Sequence, residues 1–551
     1  MARVIPIASA RGFRGITRTP PPARGVAPPP SPTTPLTTPI PMLTTPLAAI
    51  RSAILFLAAC GVAAAGESIT VDAARPAGRI KAIHGVNNGP LANGENAKLG
   101  RWYAEAGFPV ARLHDCRWPS PDVVDVSTIF PLSHLDPDDP RNYLFAKTDD
   151  YLAAILAAKS RIVYRLGQSI EPWSKYHTHP PADMDRFAKV CVNIIRHYND
   201  GWADGFRHGI THWEIWNEPD MKLPLMWLGT QEDYFRLYET VARAIKAHDP
   251  ELKVGGPALT SMSSDWAEPF VAHCRAKNLP LDFFSFHVYA AEPQVLVDSC
   301  RKARKLLDDH GFKDTEIHLN EWRYHPTWDG LRPDDPEKYV DVPGWFARGC
   351  GGKGAAFAAT VLMRLQDEPV DMTNFYTADT SAWSMFGQFG IRTPVYHAFR
   401  AFDRLAKHPR RVACDVAATD SKPGATAACA GLDAEGRSLA VLVSTFDAPA
   451  GRREITVAGL PWQGATRAEA LLVSETHALA PIAATTDTAT PGAVRIVVDL
   501  PADTVCLVSC SSTTDDEKPR AEAGGVPRPI THDPVEPLPK KQTANKLKPP
   551  G

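Results

Sequence analysis

The chain has 551 residues, of which 44% are hydrophobic and 22% are charged, and its formal net charge at pH 7 is -2. This length and composition allow a large buried core and more than one domain. A charge so close to zero excludes a strong overall attraction to nucleic acid or to an anionic membrane, so we expect a neutral ligand.

Residues 1–66 contain no Asp or Glu and are predicted to be a Pro/Thr-rich disordered leader followed by a signal peptide. The apolar run that ends at Cys60 is too short to span a bilayer but is typical of the core of a signal peptide. We therefore expect export to the periplasm or the extracellular space. Leu57-Ala-Ala-Cys60 also resembles a bacterial lipobox, so a lipid anchor at Cys60 is an alternative to ordinary cleavage.

Residues 67–408 alternate short apolar runs with helical patterns, as expected for repeated βα units. Eight such units predict an α/β fold, a (β/α)₈ barrel with its active site at the carboxyl ends of the strands. An open doubly wound sheet is the alternative. The predicted strands are 79–86, 110–114, 161–166, 212–217, 253–257, 283–288, 316–320 and 372–376.

Residues 409–510 show strand-like alternation without long helices and are predicted to form a β-sandwich accessory domain. Residues 68–76 precede the first barrel strand and are candidates for an additional strand of this sandwich. Residues 511–551 are polar and rich in Pro and Lys, which predicts a disordered tail.

The fourth predicted barrel strand runs into Asn217-Glu218-Pro219, where proline ends the strand and leaves Glu218 at its mouth. Partial desolvation there would raise the pKa of this carboxyl group, as a general acid requires. Asn217 can hydrogen-bond the hydroxyl next to the reacting carbon of a sugar. Glu214, deeper in the same strand, is predicted to be a polar residue of the barrel interior.

The seventh strand ends at a second carboxylate, Glu321, which is followed by Trp322, an aromatic residue suited to stacking on a sugar. Strands four and seven lie on opposite sides of a barrel, so the two glutamates can face each other across a substrate. A separation near 5 Å predicts a retaining glycosidase, whereas about 6.5 Å or more admits a water and predicts inversion.

Four segments together resemble glycoside hydrolase family 39 of clan A, the β-xylosidase and α-L-iduronidase family. They are the Asn-Glu-Pro of strand four, the glutamate of strand seven, 282-DFFSFHVY-289 and 111-ARLHD-115. The resemblance covers residues 68–510 and implies retaining chemistry with Glu218 as acid/base and Glu321 as nucleophile. It also implies that His287 and Tyr289 serve the subsite of the cleaved sugar, with Tyr289 near the nucleophile.

Three further residues are given both a functional and a structural interpretation. His114 either reaches the same sugar or pairs with Asp115. Trp383, after strand eight, either stacks under the sugar or packs in the core, and its loop lacks the adjacent acidic pair of the family's xylosidases. Arg323 either binds a uronate carboxylate or, as we favour, forms a surface salt bridge.

No P-loop, HExxH zinc-binding helix or CxxC pair occurs in the sequence, so no cofactor and no metal are expected. The nine cysteines after Cys60 are predicted to be buried thiols, with one or two disulfides as the alternative. The expected partner is a carbohydrate, and nothing indicates nucleic acid, a membrane span or a particular oligomeric state. The alternatives to a β-xylosidase-like enzyme are another clan A exo-glycosidase, such as a galactosidase, arabinosidase or uronidase, and a sugar-binding barrel without catalysis.

Overall fold

A computed structural model describes residues 67–92, 98–116, 118, 122–170, 178–222, 226–326, 342–417, 426–462, 465–488 and 492–513. The predicted leader, the signal peptide with Cys60, and all of the predicted tail beyond residue 513 lie outside these ranges. Within them, no helix combines the length and the apolar character needed to cross a membrane.

The chain enters through a long strand, β1 (Glu67–Arg79), and then builds a closed barrel of eight parallel strands. This confirms the predicted (β/α)₈ fold. The barrel strands are β2 (Gly85–Asn87), β3 (Val110–Leu113), β4 (Arg161–Leu166), β5 (His212–Ile215), β6 (Lys253–Leu259), β7 (Phe283–Ala290), β8 (Glu316–Tyr324) and β9 (Met372–Phe375).

Ten α-helices surround or connect the barrel strands within the described residues, and apolar side chains from these strands and helices form one buried cluster. The α-helices are α1 (Gly100–Ala106), α2 (Val126–Ile129), α3 (Ala146–Ala157), α4 (Met184–Asn199), α5 (Gln231–His248), α6 (Ala267–Ala276), α7 (Pro293–Asp309), α8 (Val342–Cys350), α9 (Gly352–Arg364) and α10 (Pro394–Ala406). Short 3-10 helices cover Pro140–Asn142, Leu365–Asp367 and Gln388–Gly390.

Two predicted strand boundaries differ from the structure by more than two residues. The first barrel strand begins at Gly85 rather than at residue 79, because the backbone N–H groups of Ile80 and Lys81 bond to Pro409 and Gln366 instead of to a barrel strand. The seventh barrel strand continues to Tyr324 instead of ending at residue 320. Trp322, Arg323 and Tyr324 therefore belong to this strand and not to the loop that follows it.

The second domain consists mainly of strands, which confirms the predicted accessory domain. Its ten strands form one continuous hydrogen-bonded sheet, and β14 also contacts β17 from near the opposite end of the sheet, so the sheet bends over a single core. The strands after β1 are β10 (Arg410–Val416), β11 (Ala427–Leu432), β12 (Ser438–Ser444), β13 (Gly451–Ala458), β14 (Thr466–Val473), β15 (Ala478–Ile482), β16 (Thr485–Asp487), β17 (Val494–Leu500) and β18 (Val505–Ser512).

The amino-terminal strand β1 lies inside this second sheet, antiparallel to β10 and parallel to β13. Ile69 and Val71 of β1 are fully buried in its core. The candidate strand at residues 68–76 is therefore part of the accessory domain. The described cysteines are free thiols.

Candidate active site

The acid predicted at the fourth barrel strand lies where the chain turns away from β5. Trp216 and Glu218 have positive φ angles of 72° and 44°, a conformation that non-glycine residues adopt only where the surrounding structure imposes it. The backbone N–H of Glu218 donates to the carbonyl oxygen of Ala258 at 2.9 Å, which ties the turn to β6. The carboxyl group of Glu218 therefore faces the barrel mouth, and the residue is 4% exposed.

The second glutamate owes its direction to a β-bulge in β8. Phe286 of β7 pairs with Leu319, and the next residue, His287, pairs with Glu321, so Asn320 is an extra residue in the ladder. Such a bulge shifts the alternation of side chains by one position. Asn320 and Glu321 consequently both point into the barrel, where Asn320 donates to Glu214 at 2.5 Å.

The two glutamates meet across the barrel mouth around His287. One oxygen of Glu218, one oxygen of Glu321 and one nitrogen of His287 all lie within 4.8 Å of one another. Nδ1 of His287 is 2.7 Å from Oε1 of Glu218 and 3.4 Å from Oε2 of Glu321. The Tyr289 hydroxyl donates to Oε2 of Glu321 at 2.6 Å. The pair is thus near the spacing of about 5 Å that retaining glycosidases use.

Arg112, a residue that sequence reasoning missed, links the side chains of the site to one another by hydrogen bonds from the barrel interior. Its guanidinium is fully buried and donates to Glu214 at 2.6 Å and to Glu321 at 2.8 Å. It also donates to Asn217 at 2.7 Å and to Asn87 at 3.1 Å. The available signal was an arginine inside the apolar strand β3, since a buried charge requires partners.

Glu214 completes this network as an interior residue of the barrel. Besides Arg112 and Asn320, the Ser285 hydroxyl donates to it at 2.7 Å. Each of its carboxylate oxygens has at least one donor, and the residue is fully buried. Glu214 is therefore held in the barrel interior, as the sequence predicted.

Burial shifts the pKa values of His287 and Glu321 in opposite directions. It lowers the pKa of His287 to about 4, so the imidazole is neutral near pH 7, with one nitrogen donating and the other accepting. Burial also raises the pKa of Glu321, while the charge of Arg112 and the hydrogen bond from Tyr289 act against that rise. Arg112 and Tyr289 therefore favour the ionised carboxylate.

Asn217 and His114 lie in the same pocket. Oδ1 of Asn217 accepts from Arg112, and its Nδ2 is buried without a hydrogen-bond partner, so this amide can donate to a ligand. Nε2 of His114 is 3.4 Å from Asp115 and 3.8 Å from Glu321. His114 thus lies beside Asp115, its partner in the structural interpretation, and beside Glu321, where its functional interpretation places the sugar.

The prediction that Trp322 binds the sugar was wrong. Because Glu321 points inward after the bulge, Trp322 points outward, and its ring is fully buried between β8 and α10. Its ring centre lies 5.3 Å from that of Phe375 and 6.1 Å from that of Phe399. Trp322 is a core residue on the helix side of the strand.

Trp383 lies where a sugar platform is expected. It is partly exposed, and its ring centre is 6.1 Å from that of Tyr289 and 6.3 Å from that of Tyr376.

The prediction that Arg323 forms a surface salt bridge was wrong, because this residue points inward after the bulge and is fully buried. Its guanidinium donates to the carbonyl oxygen of Trp383 at 2.6 Å.

Two groups of side chains in the described residues have the spacing of metal ligands. One is the Glu218, His287 and Glu321 centre itself. In the other, at the amino ends of the barrel strands, His212 and His318 lie 3.2 Å and 3.0 Å from Oε2 of Glu316. Lys253 donates to the other oxygen of Glu316, so this carboxylate already has cationic and hydrogen-bonding partners.

A parallel barrel with facing glutamates at the ends of its fourth and seventh strands defines the class of clan A glycoside hydrolases. Residues 136–423, more than half of the chain, match the family described as "Glycosyl hydrolases family 39". The chain belongs to glycosyl hydrolase family 39.

The relatives include a β-xylosidase of Geobacillus stearothermophilus, 26% identical over 275 residues that make up 43% of this chain and 49% of the relative. The chain spans about half the length of the curated relatives that it matches. Among solved structures, a glucosidase of Croceicoccus marinus aligns with a TM-score of 0.69 at 23% identity, covering 82% of this chain and 100% of that one. An enzyme of the same family from Xanthomonas axonopodis pv. citri has a TM-score of 0.63 at 20% identity, covering 83% and 100%.

Proposed function

We propose that the protein is a retaining exo-glycosidase that cleaves oligosaccharides by double displacement, with Glu321 as nucleophile and Glu218 as acid/base. The observation that carries the proposal is that one oxygen of the Glu218 carboxyl group lies within 4.8 Å of one oxygen of the Glu321 carboxyl group. An inverting enzyme needs about 6.5 Å or more for a water molecule between nucleophile and sugar. Family membership supports the same assignment.

In the first displacement, a carboxylate oxygen of Glu321 attacks the anomeric carbon while protonated Glu218 transfers its proton to the leaving oxygen. The bond to the leaving group breaks and an ester between sugar and Glu321 forms. The Tyr289 hydroxyl and Arg112 hold the attacking carboxylate in place. Oriented attack of this kind removes much of the entropic barrier.

In the second displacement, ionised Glu218 takes a proton from water, and the hydroxide oxygen attacks the same carbon as the ester bond to Glu321 breaks. Glu218 thus alternates between acid and carboxylate. Neutral His287, with Nδ1 at 2.7 Å from Glu218, can accept a hydrogen bond from the acid form in one tautomer and donate a hydrogen bond to the carboxylate in the other. His287 can therefore form a hydrogen bond with Glu218 in both the protonated and the ionised state of its carboxyl group.

The substrate class proposed first is a terminal β-D-xyloside, on the basis of the β-xylosidase relatives. The similar glucosidase structure makes glucosides the first alternative. The loop after β9 carries Asp379 and Trp383 without a pair of adjacent carboxylates, which separates this subsite from the family's xylosidases. Aryl glycosides of xylose, glucose, galactose, arabinose, fucose and iduronic acid, assayed with the purified protein, discriminate between these sugars.

The nucleophile is tested with Glu321→Gly. We expect no turnover without added nucleophile, and rescue by azide with formation of a glycosyl azide of inverted configuration. Glu214→Gly removes another buried carboxylate of the same barrel and is the matched control, which azide should not rescue. Absence of rescue of Glu321→Gly by azide and by formate would contradict the assignment.

The acid/base is tested with Glu218→Ala on two substrates that differ only in the leaving group. Turnover should fall steeply for a poor leaving group, which needs protonation, and much less for an activated aryl group. Equal losses on both substrates would contradict the role of Glu218. A sugar-binding barrel without catalysis would instead show binding by calorimetry and no sugar release from any substrate.

We also propose that the protein is exported, with Cys60 as the candidate lipid attachment site. The support is the apolar run that ends at Cys60, which has the length and composition of the hydrophobic core of a signal peptide. Mass spectrometry of the mature amino terminus distinguishes lipidated Cys60 from cleavage after residue 65, and an uncleaved amino terminus contradicts export. Cys60→Ala should abolish incorporation of labelled palmitate without changing the activity.

A further inference from the structure

Arg323 is a fully buried cation next to the catalytic centre, two residues after Glu321. Within the part of the chain that the structure describes, no carboxylate lies at ion-pair distance from it. Its Nη1 donates to the backbone carbonyl oxygen of Trp383 at 2.6 Å. Its guanidinium carbon also lies 5.0 Å from the centre of the Trp383 ring, within the range of a cation–π contact. Arg323 thus binds both the backbone and the ring of one residue.

Cys350, at the end of α8, reinforces the same loop. Its Sγ lies 3.6 Å from the carbonyl oxygen of Ala382 and 3.2 Å from that of Ser384. Nη2 of Arg323 is 3.8 Å from this sulfur. Arg323 and Cys350 together contact three successive carbonyl groups, so the backbone at residues 382–384 is fixed from one side.

The ring held in this way borders the sugar site. Tyr289, which donates to the nucleophile, and Tyr376 both lie edge-on to Trp383. The centre of the Trp345 ring lies 5.4 Å from that of Trp383 and 5.8 Å from the guanidinium carbon of Arg323. A guanidinium binds a carbonyl and a ring face at once because its planar donors and its π surface are both available.

We propose that Arg323 is a positioning residue for sugar binding, which with Cys350 holds the loop of residues 382–384 so that the indole of Trp383 forms the platform beneath the sugar. This inference rests on the proposed function. Arg323 does not contact the reacting atoms, and its effect passes through Trp383. It therefore acts mainly on KM, because a displaced platform weakens ground-state and transition-state binding together.

The kinetic test is a double-mutant cycle between Arg323→Met and Trp383→Ala. Arg323→Met should raise KM about tenfold, which corresponds to about 1.4 kcal/mol, with a smaller change in kcat. Arg323→Lys keeps the charge but not the planar fork and should give an intermediate KM. In the Trp383→Ala background, Arg323→Met should have no further effect on KM. Additive effects of the two substitutions would overturn the proposal.

A second measurement decides the proposal even if no glycoside is turned over, in which case the proposed function alone fails. In protein labelled with 5-fluorotryptophan, the ¹⁹F resonance of Trp383 is assigned by its loss in Trp383→Phe. It should shift and broaden in Arg323→Met, while the resonance of Trp213, buried against Tyr164, stays unchanged. An unchanged Trp383 resonance would overturn the positioning role.

Two further variants control for folding. Arg301→Met removes an arginine whose partner is Glu368 at the surface and should change neither KM nor the Trp383 resonance. If Arg323→Met does not fold, Cys350→Ala tests the same carbonyl groups with a smaller change in volume. It should shift the Trp383 resonance and raise KM, and the absence of both effects would overturn the proposal.

Discussion

Two neighbouring tyrosines at the barrel mouth bind different carboxylates. The Tyr289 hydroxyl donates to Glu321 at 2.6 Å, whereas the Tyr376 hydroxyl donates to Asp115 at 2.8 Å. Their ring centres are only 6.3 Å apart, and both residues are partly buried. Substituting each tyrosine in turn therefore separates an effect on the nucleophile from a general effect of removing a tyrosine hydroxyl at this site.

Tyr289→Phe removes the hydrogen bond to Glu321, and we expect kcat to fall by about tenfold to a hundredfold, as for a bond to a charged group of about 1.5–3 kcal/mol. The bond favours the ionised carboxylate, so its loss raises the pKa of Glu321. The acidic limb of the kcat/KM profile should move to higher pH. Tyr376→Phe is the control, and an equal shift of the limb in that variant would contradict the specific role of Tyr289.

Arg112→Met should be strongly destabilising. Arg112 is the partner of two buried carboxylates, Glu214 and Glu321, and removing one member of a buried ion pair typically costs about 3–5 kcal/mol. Thermal unfolding followed by circular dichroism should show a large decrease in Tm, whereas Arg301→Met, at a surface pair with Glu368, should change Tm little. Similar melting temperatures for both variants would contradict this account of the network.

The sequence was sufficient for the barrel, for both glutamates and for the accessory domain because each depends on a local pattern. Proline after Glu218 and the apolar runs mark strand ends without knowledge of the neighbouring strands. The bulge at Asn320 has no comparable signal, since it is defined by pairing with β7. Trp322 and Arg323 were misinterpreted for this reason, because the bulge determines which of them faces inward.

Trp322→Phe and Trp383→Phe test that correction. Trp322 packs against Phe375 and Phe399 in the core, so its truncation should lower Tm and leave KM nearly unchanged. Trp383 is partly exposed at the sugar site, so its truncation should raise KM and lower Tm less. Steady-state kinetics and thermal unfolding on the same preparations check both statements. A higher KM in Trp322→Phe than in Trp383→Phe would contradict the assignment.

Asn217→Ala should weaken recognition of the sugar's 2-hydroxyl, because the unpartnered Nδ2 of Asn217 is the donor available to it. With the ordinary substrate, kcat/KM should fall by about tenfold to a hundredfold. With a 2-deoxy aryl glycoside, which lacks that hydroxyl, wild type and variant should differ much less. An equal loss on both substrates would indicate that the substitution acts through Arg112, whose hydrogen bond to Asn217 is also removed.

Stability at acidic pH should depend on His397 of α10, which is 6% exposed. Burial, followed by the charges of Arg392 and Arg400, lowers its pKa to about 3, against an ordinary value of 6.5. Between these two values the unfolded chain binds the proton and the folded chain does not, so stability falls as the pH decreases below 6.5. The loss of stability from this one group approaches about 1.4 kcal/mol per pH unit.

Tm measured from pH 7 to pH 4.5 should therefore fall less steeply in His397→Gln than in wild type. His310→Gln, at the carboxyl end of α7, serves as the control and should keep the wild-type slope. Equal slopes in wild type and His397→Gln would show that other groups dominate the acid response.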